Sequence, residues 1–195
     1  TLSNQANISQ ASALVGNTSG TVAFHSDGIS NDIAAYVNAD PASNPVTAIS
    51  TAFSAIRAAD NDVNVTVSGF TTPAATSAEM DAINLIAAKT TGIITATFTA
   101  SAANAARLNS STWTTNSSTP GSDVLTATIT DAMSVQQFTN LDGLTNQSIV
   151  LNVGITDSLS AINDGSLTAG IEAAIDDDAD TVSYTHLTLP TTCTV

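Results

Sequence analysis

Thr95-Ala96-Thr97-Phe98-Thr99-Ala100 and Thr126-Ala127-Thr128-Ile129-Thr130-Asp131 are two versions of one pattern, and their reading decides the fold. In each, Ala and a larger apolar residue alternate with Thr at period two. This places an apolar row on one face of a strand and a hydroxyl row on the other. Val63-Asn64-Val65-Thr66-Val67-Ser68 and Ile149-Val150-Leu151-Asn152-Val153-Gly154-Ile155 alternate likewise. Strand starts therefore fall near Val63, Ile93, Val124 and Ile149, a spacing of about 25–30 residues that is the range of strand-plus-helix repeats.

The segments between these strands have helical spacing. Ser77 reads as an N-cap, followed by Met80, Ile83 and Ala87 on one face. Ala102–Leu108, Ser134–Leu144, Leu159–Ile175 and Thr51–Ala59 complete the helical set, and Val135, Phe138, Leu141 and Leu144 recur every third residue. Ala13–Phe24 aligns with Ile86–Ala96 as a helix end, a turn and a β-branched strand. This places Gly20 and Gly92 where a positive-φ helix terminator belongs. Strands joined by single helices run parallel with right-handed crossovers. The expected fold class is thus α/β, a solenoid-like stack of strand–helix repeats with a parallel sheet; the alternative is a single compact α/β or α+β domain. Ser26–Asn44 departs from the pattern, and Ser110–Ser122 is a long polar loop.

Composition narrows the function. Of 195 residues 17 are acidic and three basic (Arg57, Lys89 and Arg107), giving a formal net charge of −14. So few cations exclude a nucleic-acid binder that works by phosphate neutralisation, and disfavour an anionic membrane surface. No apolar run is long enough for a membrane-spanning helix, so no membrane insertion is expected. Hydrophobic residues make up 43% but aromatics only 4%, so the core must be thin and built from Ala, Ile, Leu and Val.

Val182-Ser183-Tyr184-Thr185-His186-Leu187-Thr188-Leu189-Pro190-Thr191 resembles the in-frame translation of a transposase-based sequencing adapter, GTC TCT TAT ACA CAT CTG ACG CTG CCG ACG. This resemblance implies that 182–195 form no domain. Residues 1–181 then read as a repeat region taken from a longer chain. Tyr184, His186 and the lone Cys193 drop out of functional argument, and a disulfide framework or thiolate metal site is excluded from the remainder.

Thr126–Asp131, then Leu141-Asp142-Gly143-Leu144-Thr145, then Ile149–Ile155 resemble repeats of giant cell-surface proteins of marine bacteria and cyanobacteria. The best-matching part covers about residues 60–160. The resemblance implies an extracellular or cell-surface location and a structural or adhesive role. It also implies neighbouring repeats of the same chain as partners, with surface polysaccharide or other cells as further candidates. It carries over no catalytic residue.

Residues that could carry chemistry are few. No nucleophile elbow, phosphate loop, zinc-protease or dinucleotide motif occurs, and the chain reads as a non-enzyme without a resident cofactor. His25 lies near Asp27 and Asp32 but on the outward register, and Trp113 stands alone in the polar loop. Asp60, Asp62 and Asn64 place oxygen ligands at alternate positions, as calcium loops do. Val65 and Thr71 stand where such a loop needs Gly and Glu, which excludes an EF-hand. Asp176, Asp178 and Asp180 alternate in the same way. These six residues are the candidate metal ligands, calcium is the candidate ion, and a calcium- or carbohydrate-binding module is the alternative function. The Thr rows also suggest a flat hydroxyl array for ice or crystalline polysaccharide, which Val150, Asn152 and Gly154 interrupt.

Overall fold

The computed structural model describes residues 5–24, 26–108, 123–162 and 169–177, with the backbone only at 159, 160, 173, 176 and 177. Helix α1 (Ile8–Gly16) precedes β1 (Ile29–Asp32), α2 (Ile33–Tyr36) and α3 (Thr51–Ala59). Strand β2 (Val65–Ser68), α4 (Ser77–Ala87), β3 (Ile94–Ala100) and α5 (Ala102–Ala105) follow. Then come β4 (Val124–Ile129), α6 (Val135–Asp142), β5 (Ile149–Leu151), α7 (Leu159–Ile162) and α8 (Ala169–Asp177). The five strands form one sheet in the order β1-β2-β3-β4-β5, and every pair is parallel. The chain is therefore α/β, with helices interleaved between parallel strands.

The expected strand starts at Ile93, Val124 and Ile149 hold to within a residue, and β2 begins two residues later than expected. Alternation decides which face is buried. Val65 and Val67, then Ile94, Ala96, Phe98 and Ala100, then Leu125, Ala127 and Ile129, then Ile149 and Leu151, all point into the core. The intervening Thr66, Thr95, Thr97, Thr99, Thr126, Thr128 and Val150 are half-exposed or exposed. Helical residues including Phe53, Ile56, Met80, Ile83, Ile86, Phe138 and Leu141 complete one continuous core with the inward strand residues. Three of these eleven inward strand positions are Ala, and the others are Val, Ile, Leu or Phe.

Pairing shows how deep the Thr rows are. Ser30, Thr66, Thr95 and Val124 align across β1 to β4, Thr97 aligns with Thr126, and Thr99 aligns with Thr128 and Val150. Aligned Thr residues are thus two strands deep: Val124 ends the first row, Val150 ends the last, and strand pairing extends Thr97–Thr126 no further.

Several helix starts repeat one device. Asn7 with Gln10, Thr76 with Glu79, and Ser134 with Gln137 each form a reciprocal capping box. The residue before each cap, Ala6, Ala75 or Met133, makes a parallel bridge to the next strand region at Ile29, Ala100 or Ile155. Ser50 and Ser101 cap α3 and α5 with their side chains alone. The cap of α4 is Thr76 rather than Ser77 because Thr76 is the last extended residue, with φ −81° and ψ 164°.

Two further expectations are corrected. Thr21–Phe24 is not a strand; Val22 is buried, and β1 starts only at Ile29. Gly92 is required by close approach and not by positive φ. A Cβ there would sit 2.4 Å from the carbonyl oxygens of Asp62 and Val63, which pass beside it on the way into β2. Gly28 approaches the same entry to β2 from the β1 side, with φ 65° and a Cβ position 1.9 Å from the Asn64 carbonyl oxygen. Within the expected helical stretch Leu159–Ile175, α7 and α8 are described, and 163–168 lie outside the described residues.

Candidate functional site

The candidate ligands Asp60, Asp62 and Asn64 lie on the turn from α3 into β2, where three neighbouring segments meet. Asp60 is the C-cap of α3, and its carboxylate Oδ2 accepts the Phe24 N–H at 2.9 Å. Asn64 faces two ways: its Nδ2 donates to the Ser26 carbonyl at 2.6 Å, and its Oδ1 accepts the Ile93 N–H at 2.8 Å. One amide thus ties the entry of β2 to the segments entering β1 and β3.

The Asp60 and Asp62 carboxyls adjoin. Burial, and then the hydrogen bond to Asp62, raises the Asp60 carboxyl above the ordinary 3.8, although the Phe24 N–H works in the opposite sense. The same bond to Asp60, with a backbone hydrogen bond, holds Asp62 below 3.8. As pH rises Asp62 ionises first, and ionising Asp60 then sets two like charges side by side. Structure therefore brings Asp60 and Asp62 together, while the Asn64 oxygen already holds the Ile93 amide. Among the described residues no group of three or more His, Cys, Asp or Glu side chains converges as a metal site. Two carboxylates fall well short of the roughly six to eight oxygens calcium takes. Asp176 lies near the end of α8 with only its backbone described; Asp178 and Asp180 lie outside the described residues, as do His25, Trp113 and the adapter-like segment.

Four other carboxylates, Glu79, Asp123, Asp131 and Asp157, have a different task, which the sequence pattern did not reveal. Glu79 is fully buried: Oε1 accepts the Thr71 N–H at 2.7 Å and the Thr71 hydroxyl, and Oε2 accepts the Thr76 N–H at 2.6 Å. Asp123 Oδ1 accepts the Ile94 N–H at 2.8 Å, joining the start of β4 to that of β3. Burial pushes the Asp123 carboxyl above the ordinary 3.8, with the Ile94 bond opposing the shift. Asp131, just past β4, accepts the Ala102 N–H in the first turn of α5. Asp157, two residues past the isolated bridge at Ile155, accepts the Val135 N–H in the first turn of α6 at 3.1 Å. Each of these two anions sits at the positive end of a helix from the preceding unit. The signal was available: Asp131 follows Ile129 at the end of β4 by two residues, and Asp157 follows Ile155 at the end of the alternating stretch Ile149–Ile155 by two.

Two buried threonines make the complementary link. Thr90 and Thr145 each lie three residues beyond a helix, α4 and α6. Thr90 Oγ1 donates to the Val63 carbonyl at 2.7 Å and accepts the Gly92 N–H at 3.0 Å. Thr145 Oγ1 accepts the Leu125 N–H at 2.9 Å and the Gln147 N–H at 3.1 Å, with the Asp123 and Leu125 carbonyls in donor range. Hydroxyls here satisfy backbone groups that adjoining strands of unequal length leave unpaired.

In open parallel sheets, ligands bind where the strand order reverses and two crossovers diverge. The order here runs monotonically from β1 to β5, so these five strands contain no such reversal. A shallow hollow of about 380 Å³ lies on the Thr face, rimmed by Gly69–Pro73 and floored by Thr66, Thr95 and Thr97. Its lining has hydroxyls but no ionisable side chain, so it lacks an acid, base or strong nucleophile. No described helix is long and apolar enough to cross a membrane. Compared with known proteins, the chain matches no family model, no curated protein and no solved structure.

Proposed function

We propose that this chain is a non-catalytic structural spacer or adhesive segment of a large secreted bacterial surface repeat protein, built as a solenoid-like stack of strand–helix units. The observation that carries this reading is the one-sided parallel sheet in monotonic order. Parallel sheets normally have helices over both faces; here the Thr-bearing face alternates outward along β2, β3 and β4. Stacking in chain order gives each unit contacts mainly with its neighbours, which is the economy of a repeat stack. The cross-unit bonds of Asn64, Thr90, Asp123, Asp131 and Thr145 support the same reading, because each ties a unit to the adjacent one. An acidic exterior suits an extracellular, saline medium.

Thermal melting of the chain, followed by circular dichroism with and without millimolar calcium, tests this function. A spacer of this kind melts from a mixed helix–strand spectrum at a temperature indifferent to calcium. A melting temperature raised by calcium, and no longer raised after Asp62→Asn, would replace the spacer with a calcium-binding module.

A further inference from the structure

Where the chain enters and leaves the sheet decides how it carries load. Ala6, just before α1, bridges to Ile29 on the side of β1 away from β2, so the described chain enters at the β1 edge. At the other end α8 packs on β5 and α6, which places the last described helix at the β5 edge. Tension between the two ends therefore runs across the strands, along the hydrogen bonds that join them. It reaches one edge strand first and opens that strand's bonds to its neighbour, rather than sliding all the strands past one another.

Packing is equally local. Among the described residues, every substantial contact between elements joins parts of one unit or of adjoining units, as β2 with β3, α4 with α5 and α6 with α8. The polar links obey the same rule: Asn64 to Ile93, Asp123 to Ile94 and Asp131 to Ala102 each span 29 residues. Detaching an edge unit thus breaks that unit's own contacts and leaves the rest of the stack closed. With one cysteine in the sequence, no disulfide within the chain can lock a unit shut.

We propose that the chain is a tension-yielding element, whose strand–helix units peel from the sheet edges one at a time under load and restack when the load falls. Lengths give this its consequence. Val65 and Ile94, like Thr95 and Val124, are partners across the sheet and 29 residues apart in sequence. Folded, such a step advances the chain by one strand spacing, about 4.8 Å; extended, it covers about 100 Å, roughly twentyfold more. The β3–β4 pairing has six residue pairs against three or four elsewhere, so it should part last. This inference rests on the stacked-unit reading and adds what the stack does under load.

Stretching the whole chain in an optical trap, between handles fused to its two ends, tests the proposal. Expected are several separate releases, each lengthening the chain by about 80–130 Å, the extended length between successive paired strand positions, with stepwise recovery on relaxation. Thr145→Val, which removes the side chain tying the entry of β5 to β4, should lower the force of one release and leave the others unchanged. A single release of all the strands, more than about 400 Å at once, overturns the proposal, as does a Thr145→Val effect shared by every release. A single release leaves the calcium-indifferent melting of a spacer untouched, so failure here is distinct from failure of that reading.

Discussion

The segment from β1 to α3 and the segment from β2 to β5 solve the same packing problem differently. In the first, the core is plugged by aromatics. Tyr36 and Phe53 are fully buried and meet edge-to-face at 5.3 Å, and the Tyr36 hydroxyl donates to the Thr66 carbonyl at 2.8 Å. In the second, the core is mainly aliphatic, with Phe98 and Phe138 among Val, Ile, Leu and Ala, and small polar side chains fasten adjacent units through their backbones: Thr90, Asp123, Asp131 and Thr145. Bulk fills an irregular space once; a short polar link can recur wherever the same backbone geometry recurs. This contrast explains why the second segment has a readable period and the first does not.

The largest effect is expected where the aromatic plug is removed. Tyr36→Ala or Phe53→Ala should cost about 3–5 kcal/mol by transfer and cavity terms, measured by chemical denaturation. A loss below about 1 kcal/mol would mean that the first segment does not depend on its aromatics. Thr145→Val keeps the shape but leaves the Leu125 and Gln147 amides without their acceptor, and should cost about 1–3 kcal/mol. Thr90→Val, with one amide orphaned, should cost less than Thr145→Val. Equal and negligible costs would break the claim that hydroxyls hold the second segment. Asp131→Ala removes an anion from the start of α5 and should cost about 0.5–2 kcal/mol.

The smallest effect is a pH signature at Asp123. Its carboxyl titrates above 3.8 in the fold, so the folded state holds this proton more tightly than the unfolded chain. Its contribution to stability therefore falls as pH rises from the unfolded value through the folded one, and stays low above it. Asp123→Asn keeps an oxygen for the Ile94 amide and removes the charge. It should match or exceed the parent melting temperature at neutral pH and lose the advantage in acid. A variant less stable than the parent at neutral pH would show that the charge itself strengthens the link.

Much of this fold was legible because Thr/Ala alternation marks a strand half-buried on one face, and β3, β4 and α3 fall where their patterns place them. Strand β1 was not legible: Ile29-Ser30-Asn31-Asp32 has one apolar residue, and its place is fixed by pairing with β2. Ala13–Phe24 misled because a turn-then-Thr-Val motif is satisfied equally by extended coil whose Val22 is buried. At the candidate ligands, alternation of Asp60, Asp62 and Asn64 could not distinguish coordination from fastening. That choice depends on Phe24, Ser26 and Ile93, which pairing brings alongside from distant sequence.

Native-state hydrogen exchange, read amide by amide, tests the stacked-unit account most directly. If stability is a sum of units and their junctions, protection should grade along the sheet. It should be highest in β3 and β4, lower in β2, and lowest in β1 and β5, with the Ile94 and Leu125 amides exchanging slowly. A single opening free energy shared by all five strands would contradict the account and make the chain one indivisible α/β domain.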